Sequence, residues 1–137
     1  MRPAVASDIP GIQRVRASVK ENRLVSTTIS DEDVRIAIEE TGRGWVVEEE
    51  GEVAAFAIGN ATTGNIWALF VRPESEGRGY GRQLHDAMID WLFADGLDRL
   101  WLTTEPGTRA QHFYEAAGWT LAGTTDQGER RYEKRRS

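Results

Sequence analysis

Residues 65–92 read NIWALFVRPESEGRGYGRQLHDAMIDWL: an apolar run, a short polar connection, glycines at alternate positions, then a long amphipathic segment. A strand that feeds a glycine-lined turn and the first turn of a helix can bind phosphate, because first-turn N–H groups have no intrahelical acceptors. Gly77, Gly79 and Gly81 carry no Cβ, so a diphosphate can approach the main chain closely there. Arg78 and Arg82 bring positive charge to the same turn. The run Ile66 to Val71 is apolar on both faces, as expected of an interior strand covered on two sides. The helix places Leu84, Met88, Trp91 and Leu92 on one broad apolar face. Taken alone, the glycines fit either a phosphate turn or a mobile entry into a helix.

At 137 residues, 39% of them hydrophobic, the chain can bury a core without a metal or a disulfide, and it is expected to form one domain over 1–137. The 17 basic and 22 acidic residues leave a formal net charge of −5, which disfavours nonspecific nucleic-acid binding. Glu48, Glu49, Glu50 and Glu52 read as a solvated acidic tip, and Arg130, Arg131, Lys134, Arg135 and Arg136 as solvated basic surface. There is no cysteine, which excludes disulfides and thiol nucleophiles, and His85 and His112 are the only histidines, so no metal site is expected. No apolar run approaches the roughly 20 residues a membrane helix needs. The start, MRPAVASD, lacks the hydrophobic core of a secretory signal, so a soluble cytoplasmic protein is expected.

In chain order, Met1 to Ala6 is expected to form a short strand. Asp8 caps a helix carrying Ile12, Val15 and Val19, and Lys20 to Thr28 forms a connection. Ser30 and Asp33 form a capping box for a second helix that buries Val34, Ala37 and Ile38 and stops at Gly42 and Gly44. Trp45–Val47 and Val53–Ile58 make a hairpin turned at Glu50-Gly51, which continues into strand 65–71 as an antiparallel meander. Gly96 ends the long helix. Strand 99–104 is expected to pair in parallel with 65–71. Thr108 and Gln111 cap a helix carrying Ala110, Phe113, Tyr114 and Ala117, and a terminal hairpin follows across Asp126 to Gly128. The predicted fold is α/β: a mixed, mostly antiparallel sheet with a central parallel strand pair and flanking helices.

These residues resemble the GCN5-related N-acetyltransferases. Val71-Arg72-Pro73 followed by Glu76-Gly77-Arg78-Gly79-Tyr80-Gly81 is similar to that family's acyl-CoA pyrophosphate signature. Ala110, Phe113-Tyr114-Glu115 and Gly118-Trp119 resemble its second signature. Two positions depart from the pattern. Glu76 stands where the family prefers Gln or Arg, and is expected to face solvent or pair with an arginine. Gly107 stands where many relatives have an asparagine that contacts the cofactor.

The resemblance implies an acyl-CoA N-acyltransferase-like fold. It also implies transfer of an acetyl group from acetyl-CoA (coenzyme A) to an amine of a small molecule or protein, without a metal. The cofactor-binding residues it implies are Phe70, Val71, Gly77, Arg78, Gly79, Tyr80, Gly81, Arg82 and Gln83, with a backbone N–H near Phe70 or Val71 polarising the thioester carbonyl. Tyr114 matches the second-signature tyrosine and is the candidate general acid for the departing thiolate. Glu105 is a candidate base; water, Glu39 or Glu40 are alternatives. Arg109 reads as a helix-start surface residue or a phosphate partner, and His112 as surface or packing. Trp45, Trp67, Trp101 and Trp119 read as core, with Trp67 a further candidate for the acceptor pocket. The acids of the second helix, Asp31, Glu32, Asp33, Glu39 and Glu40, suit a cationic amine but also a helix N-terminus. A noncatalytic acyl-CoA-binding regulator or partner protein is the alternative reading, and an exposed strand leaves a homodimer open.

Overall fold

Glu50 and Gly51 both take positive φ (53° and 80°), the backbone that a two-residue hairpin turn needs. They join strands β2 (Gly42–Glu49) and β3 (Glu52–Asn60) in the computed structural model, which describes residues 1–19 and 29–136. The connection expected over Lys20–Thr28 lies outside the described residues. In chain order the remaining elements are β1 (Arg2–Pro3), α1 (Ile9–Ser18), α2 (Asp31–Glu39), β4 (Ile66–Val71), α3 (Tyr80–Ala94), β5 (Arg99–Thr104), α4 (Arg109–Ala116), β6 (Thr120–Thr124) and β7 (Arg130–Arg135).

Alternation along β2 sorts the core into two layers. Trp45 and Val47 point to the face covered by α3, where they meet Leu84, Met88 and Leu92, and that cluster continues through Leu100, Tyr114 and Tyr132. Val46 points to the opposite face, with Phe56 and Ile58 of β3, against Ile12 and Val15 of α1 and Val34 and Ile38 of α2. Phe56 is 1% exposed and Leu84 0%. Burying a side chain of that size stabilises the fold by about 1.5–3 kcal/mol.

The expected central parallel pair is not found. The strands form two antiparallel sheets, one in the order β1-β2-β3-β4 and one in the order β5-β7-β6. The two touch through one parallel bridge, Asn65 to Trp101, where the Trp101 N–H donates to the Gly64 carbonyl at 3.0 Å. Beyond it β4 pairs with β3 alone and β5 with β7 alone. A bulge in β4 accounts for the separation: Ile58 opposes Ala68 and Gly59 opposes Ile66, so Trp67 is the extra residue. A bulge bends its strand and increases the local twist. It turns β4 away from β5 just past the bridge.

Three other expectations change. The first strand is only Arg2–Pro3, and the Asp8 carboxylate makes no cap bond; it binds the Arg2 guanidinium at 2.8 and 2.9 Å and accepts from the Val5 N–H. Gly42 and Gly44 do not stop α2, which ends at Glu39, but belong to β2. A Cβ on Gly42 would lie 1.8 Å from the Gly59 carbonyl oxygen, so this glycine admits the neighbouring strand. The capping box at Ser30 and Asp33 forms as the spacing predicts.

Candidate active site

The separation of β4 from β5 leaves a wedge, and the main chain of β4 decides what faces it. The Arg72 N–H donates to the Ala54 carbonyl at 2.9 Å, which sets the alternation of the β3–β4 ladder. Opposed pairs Phe70/Phe56 and Ala68/Ile58 therefore turn their backbone groups toward β3, while Leu69 and Val71 turn theirs toward the wedge. Of the two expected oxyanion donors, Val71 presents its N–H and Phe70 does not. Leu69 also turns its N–H to the wedge, an orientation that only the register reveals.

The wedge leads to the N-terminus of α3. Gly77 and Gly79 take φ of 78° and 82°, and Gly79 is the N-cap. A Cβ on Gly77 would meet nothing within 4 Å, and one on Gly79 only the Gln83 amide nitrogen at 3.9 Å, so this face of the turn is open main chain. The first-turn N–H groups of Tyr80, Gly81 and Arg82 lie ahead of the first intrahelical bond, from the Gln83 N–H to the Gly79 carbonyl at 3.1 Å. Gln83 thus brings its side chain, not its N–H, to the turn. Gly81 faces α4 and β4: a Cβ there would lie 3.6 Å from Phe113 and 3.7 Å from Val71.

The side chains around this turn are tied to carboxylates. Glu49, at the end of β2, accepts from the hydroxyls of Ser75 and Tyr80 (2.6 Å for Tyr80) and pairs with Arg78 and, at 3.1 Å, with Arg72. Arg72 also donates to the Ser75 hydroxyl at 2.8 Å. The Ser75 and Tyr80 hydrogen bonds, helped by Arg78 and Arg72, hold the Glu49 carboxyl at about 2. Glu49 is therefore not part of a solvated tip: its side chain is 14% exposed, and it clamps the β4–α3 connection to the β2–β3 hairpin. Sequence alone gives no signal for it among four nearby glutamates. Arg82 pairs with Asp86 at 3.2 Å, and Glu76 is held by Arg109 at 2.7 Å, which directs its charge to α4.

Tyr114 lies on α4, 6% exposed, with its ring against those of Phe113 (5.2 Å), Trp119 (5.5 Å) and His85 (6.2 Å). Burial pushes its hydroxyl well above the ordinary tyrosine range, so it stays protonated at neutral pH. His85 is a further buried group that the apolar pattern of α3 passed over. Trp119 Nε1–H donates to His85 Nε2 at 3.0 Å, so His85 Nδ1 carries the proton and donates to Asp86 at 2.9 Å. Burial lowers its pKa and keeps it neutral. Glu105 is half-buried in the β5–α4 turn, where its carbonyl accepts from the Thr108 hydroxyl at 2.8 Å. Arg35 pairs with Glu32, Glu39 and Glu40, so the alternative bases Glu39 and Glu40 are engaged on the surface of α2. His112 is exposed. No group of three or more metal-ligating side chains occurs among the described residues, and none of the described helices is long and apolar enough to cross a membrane.

Comparison with known proteins agrees with this geometry. Over 82 residues the chain is 40% identical to a mycothiol acetyltransferase of Beutenbergia cavernae; the match covers 56% of this chain and 28% of that protein. The fold superposes on the PaiA N-acetyltransferase of Thermoplasma acidophilum, solved with coenzyme A, with a TM-score of 0.81 at 15% identity over 98% of this chain and 97% of that one. It also superposes on a ribosomal-protein-alanine N-acetyltransferase of Brucella melitensis, with a TM-score of 0.81 at 18% identity over 98% of each chain. The model of the acetyltransferase (GNAT) family matches residues 12–119, a span that takes in the β4 wedge, the α3 turn and Tyr114, and the chain belongs to that family.

Proposed function

We propose that this chain transfers the acetyl group of acetyl-CoA to a primary amine. The observation that carries the reading is the wedge: one bridge at Asn65 and Trp101, then the outward N–H groups of Leu69 and Val71 leading to the open first turn of α3. An acyl-CoA has a matching sequence of parts, with a diphosphate for the helix N-terminus and an amide-containing arm that can pair along an exposed strand edge. Gly77, Gly79, Tyr80, Gly81 and Arg82 would receive the diphosphate, and Leu69 and Val71 the arm.

When bound, acetyl-CoA supplies a thioester, an acyl group on a good leaving thiolate. Main-chain donors on β4 then stabilise the carbonyl oxygen as it gains charge. A neutral amine attacks the carbonyl carbon, the C–N bond forms and the C–S bond breaks. The nitrogen's proton passes to water or to Glu105, and Tyr114 protonates the departing thiolate. Arg78 and Arg82 are engaged by carboxylates, so the binding of the nucleotide rests chiefly on main-chain donors.

Calorimetry with acetyl-CoA at low salt, followed by thiol release over a panel of amines, tests the proposal. Saturable binding with amine-dependent release of coenzyme A is the expected result. Binding without release on any amine would favour the regulator instead, and indifference to acetyl-CoA and coenzyme A at millimolar concentration would overturn the reading.

A further inference from the structure

Alternation along β5 gives the wedge two unlike sides. Leu100 and Leu102 join the core under α3, and Thr104 is buried with them, so Trp101 and Thr103 point away from α3 and α4. On the neighbouring strand Tyr132 lies with Leu102 in that core, which puts Arg131 and Glu133 on the same outer face as Trp101 and Thr103. Arg131 stacks over the Trp101 ring at 4.5 Å and pairs with Glu133 at 3.2 Å. Glu129 comes next on this face. The Thr125 N–H donates to its carbonyl at 2.7 Å and its own N–H donates to the Thr125 hydroxyl at 3.1 Å, so the β6–β7 turn fixes its backbone. Its half-buried carboxylate accepts from the Thr103 hydroxyl at 3.5 Å and forms no ion pair among the described residues. Glu133, the other acid of β7, is engaged by Arg131 and Arg99.

Position along the wedge matters as much as the face. With the diphosphate on the first turn of α3, the arm runs back along Val71 and Leu69, so the thioester at its far end lies toward the bridge at Asn65 and Trp101. Thr103 stands two residues past that bridge, about 7 Å along β5, whereas Glu105 lies beyond the strand's last residue, Thr104. We infer that Thr103 and Glu129 form a hydroxyl–carboxylate relay that takes the proton of the attacking amine. This rests on the acetyl-transfer reading and assigns the proton which that reading leaves to water or Glu105. As the nitrogen bonds to the carbonyl carbon and the C–S bond breaks, one N–H proton passes to Thr103 Oγ1 while the hydroxyl's own proton passes to Glu129. Tyr114, on the α4 side, protonates the thiolate. After product release water takes the proton from Glu129 and restores that of Tyr114. Thr103 is the group that touches the nitrogen, and Glu129 is a positioning residue that acts through it. A separation of 3.5 Å is long for a bond between oxygens, and such pairs tighten once substrate is bound.

The test follows thiol release from acetyl-CoA with two nucleophiles. One is n-butylamine, an ammonium at neutral pH; the other is methoxyamine, whose weakly basic nitrogen is neutral there and loses its proton to water after attack. Thr103→Val, which keeps the shape and loses the hydroxyl, and Glu129→Gln are each expected to lower kcat for n-butylamine about 100-fold, with the double variant no worse than either alone. Thr103→Ser keeps the hydroxyl and is expected to stay within about threefold of wild type. With methoxyamine the losses are expected to be less than about threefold, a split that a merely structural role would not produce. The acetyl-CoA dissociation constant, by calorimetry, is expected to stay within about twofold for every variant. Full n-butylamine turnover in Glu129→Gln, a loss in Glu105→Gln instead, or equal losses with both nucleophiles would overturn the relay and leave acetyl transfer standing. A wild type that binds acetyl-CoA but transfers to neither amine would also overturn the relay, and one that binds no acetyl-CoA would take the acetyl-transfer reading down with it.

Discussion

The two ends of β4 border regions built from different materials. At the α3 turn, the open surface is main-chain N–H groups and glycines at positive φ, while the side chains nearby are occupied with one another around Glu49 and Asp86. At the cavity beside α2 the wall is made of side chains, Asp33, Ile36, Asn60 and Trp67 among them. A site made of main chain tolerates many sequences but needs a particular conformation. A site made of side chains holds its conformation through many substitutions and changes partner with one. The nucleotide end should therefore fail through backbone geometry, and the α2 cavity should change through single side-chain substitutions.

The sharpest way to break the comparison is at Gly79. Its φ of 82° costs a residue with a Cβ about 1–2 kcal/mol, and the new atoms would stand on the open face of the turn. Gly79→Val is expected to weaken acetyl-CoA binding about 100-fold, equivalent to about 2.7 kcal/mol, as measured by calorimetry. Arg82→Ala, which removes a side chain already paired on the surface, should change it less than about threefold. Equal losses for the two would mean that side chains, not the main chain, hold the nucleotide.

Tyr114→Phe separates chemistry from binding. Removal of a positioned proton donor is expected to lower kcat by roughly 10²-fold and leave the acetyl-CoA dissociation constant within about twofold. Burial raises the Tyr114 pKa above its ordinary value of 10.0, so the wild-type rate should show no falling limb from this group up to pH 10. A kcat unaffected by the substitution would leave the ring as packing between His85 and Trp119.

The Glu49 clamp tests whether the turn needs its side-chain scaffold. Glu49→Ala removes the shared acceptor of Ser75, Tyr80, Arg72 and Arg78. It is expected to raise KM for acetyl-CoA about three- to tenfold with little change in kcat. The folded carboxyl sits at about 2 against an ordinary 4.5. A depressed carboxylate pKa contributes stability that is complete above pH 4.5 and disappears as pH falls toward 2. The difference in unfolding midpoint between wild type and Glu49→Gln should shrink across that interval.

What could be read in the sequence follows the same division. The α3 turn was legible because glycine spacing reports backbone conformation directly, and so was the hairpin at Glu50-Gly51. The capping box at Ser30 is equally local. The parallel pair was misread because a strand–helix–strand order gives no sign of the Trp67 bulge, which separates β4 from β5 after one bridge. Phe70 and Val71 are indistinguishable in the sequence for the same reason: only register says which residue faces the wedge. Glu49 is hidden inside an acidic run, since the partners that distinguish it from its neighbours come from elsewhere in the chain. His85 occupies a helix position whose burial depends on α4 packing over it.

That histidine supplies the smallest and most discriminating effect. In the folded chain burial lowers its pKa below the ordinary 6.5, while the unfolded chain protonates near that value. Below pH 6.5 the unfolded state thus binds more protons, and stability is lost as pH falls from 6.5 toward the depressed folded value. His85→Gln can still accept from Trp119 Nε1–H, so it avoids the roughly 1–3 kcal/mol cost of an unpaired buried donor. The variant is expected to unfold within a few degrees of wild type at pH 8 and to lack the loss of midpoint below pH 6.5. Because Asp86 links this ring to Arg82 at the α3 turn, acetyl-CoA affinity of the same variant tells whether the buried hydrogen-bond chain reaches the nucleotide end. If the main chain alone binds the diphosphate, that affinity is unchanged at pH 8 even as the pH dependence of stability disappears.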